Sequence, residues 1–168
     1  MIRTKVINDT TDLVSIIRAF DNTTKKDVFR EILKDWMPVS TITKKFGKDG
    51  EEALEFFDKM KLVETKWTTP EEGINGKPQK IYRSFYSLFN INISCPVNEI
   101  SEIFNISALD DENFEKLEEE IYDFIGEDGK FGNSVSENFG ISNTALKALV
   151  KRSNRVCYTG LKLTREVG

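Results

Sequence analysis

The sequence predicts a mainly helical fold with small antiparallel β-hairpins, and three observations carry that expectation. Apolar residues recur at helical spacing on both sides of one extended stretch. Within Leu62–Thr68 and Gln79–Ile93 the period changes, and β-branched and aromatic residues dominate. Glycine, proline, asparagine and aspartate cluster between the periodic segments, where turns and caps are needed.

After a short candidate strand at Ile2–Ile7, Thr10 and Thr11 stand where they can cap a helix with apolar positions Leu13, Ile16, Ile17 and Phe20. Asp21, Asn22, Thr23 and Thr24 end it and cap a second helix, which carries Val28, Phe29, Ile32, Leu33 and Trp36 on one face and stops at Pro38. A short helix from Val39 to Phe46 reaches Gly47, and another follows through Ala53, Leu54, Phe57 and Met60. The two extended arms flank the turn-forming stretch Thr69–Pro78 and read as a long β-hairpin. Its second arm is apolar on both faces through Tyr82, Phe85, Tyr86, Leu88 and Phe89, so one face is expected to pack beyond its own domain.

Helical spacing resumes after Pro96 with Val97, Ile100, Ile103 and Phe104, then with Phe114, Leu117, Ile121, Phe124 and Ile125. The segment Gly126–Gly132 lacks phosphate-loop spacing and carries two acids, so it reads as a helix end and turn. Ser134–Lys151 holds the clearest motif. Gly140 supplies a left-handed turn, Val135 and Phe139 precede it, Ile141, Leu146 and Leu149 follow at core-facing spacings, and Ser142 is placed to cap the second helix. A helix pair used only for packing is the competing reading.

Helices followed by a hairpin with a polar tip is the order of a winged helix-turn-helix. The earlier stretch Val39–Leu54 matches the later motif in Ile42, Phe46, Gly47, Ala53 and Leu54, with a turn read as one residue longer, and this predicts an internal duplication. The expected organisation is two tandem winged-helix-like units. Residues 1–95 form the first, and residues 96–168 form a helical domain with a second helix-turn-helix and a reduced wing at Val156–Val167.

Charge separates the two motifs. The net charge of -4 divides into +2 over residues 1–95 (16 Lys+Arg, 14 Asp+Glu), -11 over 96–140 (2 and 13) and +5 over 141–168 (6 and 1). The second helix of the later motif exposes Asn143, Thr144, Lys147 and Lys151, with Arg152 and Arg155 at its end, which suits phosphates and base edges. Its earlier counterpart carries Asp49, Glu51, Glu52, Glu55 and Asp58, good for a helix dipole and poor for a groove lined by phosphates. Lys44, Lys45, Lys77, Lys80 and Arg83 remain as backbone contacts from the first unit. The acidic helix Asp110–Asp123 reads as a solvated face, or as an acidic surface that repels DNA and so sets the orientation of binding.

Composition excludes other chemistries. Without histidine there is no Ser-His or Cys-His pair and no His-ligated metal, and two cysteines, Cys95 and Cys157, make neither a disulfide scaffold nor a four-thiolate zinc site. No enzyme, metal or cofactor is expected. No segment has the roughly 20 apolar residues of a membrane span, and the start lacks a signal peptide's apolar core, so a cytoplasmic protein is expected.

Over almost its whole length the chain resembles a group of archaeal proteins classed as ArsR-family transcriptional regulators. The strings that carry the resemblance are Lys5–Asp9, Phe46–Leu54, Leu62–Trp67, Lys77–Tyr82, Ile91–Pro96 and Leu149–Ser153. The resemblance implies a winged-helix DNA-binding regulator that acts as a dimer. The metal-sensing branch of that family is similar only in fold: neither recognition helix here has a cysteine, and histidine is absent.

The expected function is therefore sequence-specific binding of double-stranded DNA by a homodimer. Its contacts would come from Ser142, Asn143, Thr144, Lys147, Lys151, Arg152 and Arg155. The Leu13–Phe20 helix and the apolar wing strand are the candidate dimer surface. The alternative is a protein-interaction module in a larger assembly, which the acidic first recognition helix favours.

Overall fold

The computed structural model of the 168-residue chain describes residues 2–69 and 74–166. Pro70–Gly73 of the expected hairpin turn and Val167 of the C-terminal extension lie outside the described residues. The elements run β1 (Thr4–Ile7), α1 (Asp12–Ala19), α2 (Thr23–Lys34), β2 (Met37–Pro38), α3 (Val39–Lys59), β3 (Val63–Trp67), β4 (Lys80–Ser84) and β5 (Leu88–Ile91). They continue as α4 (Val97–Ala108), α5 (Asp111–Ile125), β6 (Lys130–Phe131), α6 (Gly132–Phe139), α7 (Asn143–Arg152), β7 (Val156–Thr159) and β8 (Lys162–Arg165). Two units result: Met1–Val6 with Arg18–Ile91, and Ile7–Ile17 with Asn92–Gly168.

In the first unit α2 begins where Asn22 Oδ1 accepts from the Lys25 backbone N–H at 2.8 Å, satisfying one of the helix's orphan donors. Val28, Phe29 and Ile32 are buried against Ile42, Ala53, Leu54 and Phe57 of α3 and Leu62, Ile81 and Tyr82 beyond it, with Phe29 and Phe57 edge-to-face at 5.2 Å. Leu33, expected on the same face, is exposed. Trp36 lies past the helix end, its ring flanked by Lys66 Nζ at 4.4 Å and the Arg83 guanidinium at 4.8 Å.

The two turns differ in the opposite sense to the sequence expectation. Gly47 alone is non-helical inside α3, at φ 68°, ψ -156°. Gly140 ends α6 at φ 63°, ψ 30°, and Ile141 and Ser142 follow before α7 begins. The first turn is therefore the shorter. At Gly47 one residue with left-handed φ and extended ψ completes the change of direction, a combination open essentially to glycine, whereas Gly140 stays in the compact left-handed region and needs extended residues after it. The short turn presses the two halves of α3 together at Gly50, where a Cβ would lie 2.7 Å from Phe46 Cβ and 3.0 Å from Ile42 Cγ2.

The arm Gln79–Ile93 is not one strand. Strand β4 pairs antiparallel with β3 from Val63↔Ser84 to Trp67↔Lys80, and with β2 at Met37↔Tyr82. The ladder then stops where the Ser84 hydroxyl donates to the Tyr86 carbonyl at 2.6 Å, and β5 joins β1 in a separate two-stranded sheet. Phe85, Leu88 and Ile91 are left exposed.

The second unit closes on Val14, Ile103, Phe114, Ile121, Ile125, Val135, Leu146, Leu149, Val156 and Leu163, each worth about 1.5–3 kcal/mol of burial. Asp9, not a threonine hydroxyl, orders the start of α1: its carboxylate accepts from the Thr11 N–H at 2.8 Å and hydroxyl at 2.7 Å. Asp110 caps α5 by accepting from the Asn113 N–H at 2.8 Å. The acidic helix is not solvated throughout, because Glu118 is buried and accepts from the Ser153 hydroxyl and from the Asn154 N–H at 3.3 Å. The sheet orders are β2-β4-β3 in the first unit and β6-β8-β7 in the second. In both, a two-residue strand pairs with the second strand of the hairpin.

Two outcomes are expected from this packing. Gly50→Ala should lower the unfolding free energy obtained from chemical denaturation by about 1–3 kcal/mol, as over-packing does. The Arg83 guanidinium bonded to Glu64, helped by Arg3, holds the Glu64 carboxyl below its usual range against the opposing effect of burial. Its contribution is therefore complete above the unfolded carboxyl value and is lost as pH falls through the lower folded value, a window below about pH 4.3. Denaturation curves of Glu64→Gln should be flatter across that window than those of the native chain.

Candidate nucleic-acid interface

The site that the sequence singles out is built on α7. Ala145, Leu146, Ala148 and Leu149 are buried, so the helix turns a single stripe outward, Asn143, Lys147 and Lys151 at i, i+4 and i+8. Ser142 caps the helix, its hydroxyl accepting from the Ala145 N–H at 3.0 Å and donating to the Glu102 carboxylate of α4. Thr144 donates to Glu99 of the same helix at 3.3 Å. The Asn143 side chain accepts from the Ser136 hydroxyl at 2.8 Å and donates to Asn133 Oδ1 at 3.0 Å, tying α7 to α6 across the turn.

Among the six cations of the later segment the structure separates surface groups from structural ones. Lys147 is exposed, and no ion pair of Lys147 occurs among the described residues. Lys151 is exposed but reaches Asp12 Oδ1 at 2.9 Å. Asp9 lies in the same neighbourhood: its Thr11 hydrogen bonds, with Lys147 and Lys151 adding to them, hold its carboxyl below the usual range. Arg152 turns inward, with a side chain only 5% exposed. Its guanidinium donates to the carbonyls of Ile106 and Leu109 at 2.8 and 2.7 Å, bonds Asp111 at 2.9 Å and covers the Phe114 ring at 4.1 Å. Arg155 pairs with Glu119 and lies 4.2 Å over the Tyr122 ring. The two arginines expected at the DNA end of the helix are thus committed to holding α7 and the following strand, because unpaired carbonyls and a nearby carboxylate attract them more strongly than solvent does.

Beside the stripe runs an open groove of about 540 Å³ between α7 and the β7–β8 turn, lined by Phe131, Asn143, Lys147, Tyr158, Gly160 and Leu161. Lys162 stands next to it, its ammonium 5.4 Å from the Phe131 ring. Phe131 and Leu161 are not among the residues that the sequence singles out. Their signal was faint: a phenylalanine between Lys130 and Gly132, and a leucine after the turn glycine Gly160, neither at core spacing.

In the first unit Lys44 and Lys77 are exposed. Lys45 bonds Glu31 at 3.0 Å, Lys80 bonds Asp58 at 2.7 Å, and Arg83 bonds Glu64 at 2.6 Å. The exposed part of α3 after Gly47 presents Asp49, Glu51, Glu52 and Glu55. Among the described residues no three His, Cys, Asp or Glu side chains are grouped to hold a metal ion, and no helix is long and apolar enough to cross a membrane.

A family model described as ArsR transcriptional regulator matches residues 7–166. No curated protein and no solved structure matches the chain.

The division of labour on α7 is open to measurement. Arg152→Leu should destabilise the second unit by about 2–4 kcal/mol, because it leaves the Ile106 and Leu109 carbonyls without their donor. Lys147→Ala, on the same helix, should change stability by less than about 0.5 kcal/mol. Urea denaturation of the two variants gives the comparison.

Proposed function

The chain belongs to the ArsR family of transcriptional regulators, and from that premise we propose that it binds duplex DNA through the open stripe of α7 and the β7–β8 hairpin beside it. In this reading both units are winged-helix-like and stand in tandem, and the second carries the DNA site. Two copies act as a homodimer on a site whose two halves repeat with the protein's two-fold symmetry.

Lys147 is the observation that carries the reading. It is an exposed cation in the middle of a capped helix, with Asn143 one turn before it and Lys151 one turn after. A phosphate that approaches Lys147 breaks no ion pair among the described residues, whereas at Lys151 it competes with Asp12. Ser142 and Thr144 set the helix through Glu102 and Glu99, and Arg152 and Arg155 hold its far end, so these four position the stripe rather than touch DNA. The second reading, a protein-interaction module, is favoured by one feature: the exposed carboxylates of α3, which face solvent without entering a basic groove.

Selection of bound fragments from a random duplex pool at about 50 mM salt separates the two. Lys147→Glu should abolish binding of the selected duplex, and Lys151→Glu should weaken it less. A combined Glu51→Lys and Glu52→Lys change should leave it intact. Lys147→Ala should make the slope of log affinity against log salt shallower by about 0.9, the share of one phosphate contact. Recovery of no duplex from the pool would sink the DNA reading in favour of the protein-interaction one.

A further inference from the structure

The groove beside α7 is apolar where a polyanion site built only for phosphates is polar. Phe131 is 55% exposed and Leu161 is 80% exposed, and both face the same opening as Asn143 and Lys147. Phe131 sits there because β6 pairs with β8 at Phe131↔Lys162, and because the Gly132 N–H donates to the Leu161 carbonyl at 3.0 Å, which draws the start of α6 to the hairpin turn. Backbone hydrogen bonds thus set where the two residues stand, and both side chains line the groove.

Charge points to what enters. Carboxylates touch α7 at Ser142, Thr144 and Lys151, through Glu102, Glu99 and Asp12. Among the described residues that line the groove there is no carboxylate, and Lys147 and Lys162 stand at its edge. A polyanion is repelled from the flanks of the helix that carry acids and drawn to this side of it. Duplex DNA offers two apolar surfaces to such a groove. The deoxyribose C–H face lies along the backbone and is the same at every nucleotide. The C5-methyl of thymine projects into the major groove, beside the base edges that a side chain such as Asn143 or Lys147 reads.

We propose that this groove is a specificity pocket for the C5-methyl of a thymine, with Phe131 and Leu161 as its walls and Asn143 and Lys147 placed for the adjoining base edge or phosphate. The inference rests on the DNA reading above and adds a base preference to it. A methyl that leaves water for the space between two large apolar side chains gains roughly the transfer value of one methylene, about a four-fold gain in affinity. The same base pair without the methyl keeps all its hydrogen-bonding groups and loses only that gain.

The test uses the full chain and a duplex recovered from the random pool, with deoxyuridine replacing thymine one position at a time and affinity read by fluorescence anisotropy. At one position or more the native chain should lose about four-fold on removal of the methyl. In Leu161→Ala and Phe131→Ala that loss should shrink to about two-fold or less, because the wall that held the methyl is gone. Both side chains are largely in solvent, and unchanged far-ultraviolet circular dichroism and melting establish that the variants are folded. Equal affinity for thymine and deoxyuridine at every position overturns the pocket while leaving duplex binding intact. So does a loss in Leu161→Ala that is the same on both duplexes, which assigns the groove to deoxyribose. Failure of any duplex to bind overturns the DNA reading and the pocket with it.

Discussion

The geometry of the second unit depends on the Arg152 guanidinium. Helix α4 ends with carbonyls that no further turn can satisfy, and two groups at that end, those of Ile106 and Leu109, accept from Arg152. A cation at a helix C-terminus also meets the negative end of its dipole. The same guanidinium bonds Asp111 at the start of α5 and covers Phe114, so one side chain on the last turn of α7 joins three helices. At the other end of α7, Ser142 and Thr144 meet Glu102 and Glu99 of α4. The helix is held at both ends by polar contacts and along its length by Leu146 and Leu149, with Asn143, Lys147 and Lys151 on its exposed face.

Within the second unit the positive charges of the C-terminal segment face in two directions. Arg152 and Arg155 turn to the carbonyls and carboxylates of α4 and α5, where a planar guanidinium with several donors satisfies more than one acceptor at once. The lysines, each a flexible point charge, stay in solvent. Chemical type therefore sorts structural cations from surface ones, and a count of Lys and Arg along the helix overstates the charge that a phosphate would meet.

In the first unit residue type does not sort the cations in this way, and the exposed helix surface is acidic. Lys80 and Arg83 on its hairpin are held by Asp58 and Glu64, and the helix after Gly47 exposes carboxylates. Its turn is one glycine long, and the close approach at Gly50 follows from that. The two three-stranded sheets share a strand order, while α3 after Gly47 exposes carboxylates and α7 exposes lysines.

Local features were legible in the sequence by itself: the helical stretches, the glycines at 47 and 140, the Ser142 cap, the acidic helix after Gly47 and the change to extended period near residue 62. Each depends on residues within one turn of one another, and periodicity and capping report on that range. Tertiary structure alone decided that the arm Gln79–Ile93 breaks after Ser84 to feed a second sheet, that Glu118 is buried under Ser153, that residues 7–17 join the second unit, and that Arg152 turns inward while Lys147 does not. Those outcomes turn on partners far away in sequence: β1 for the arm, Ser153 for Glu118, Ile106 and Leu109 for Arg152. A charged or polar side chain goes to whichever acceptor the fold brings near it, and no spacing along the chain records which one that will be.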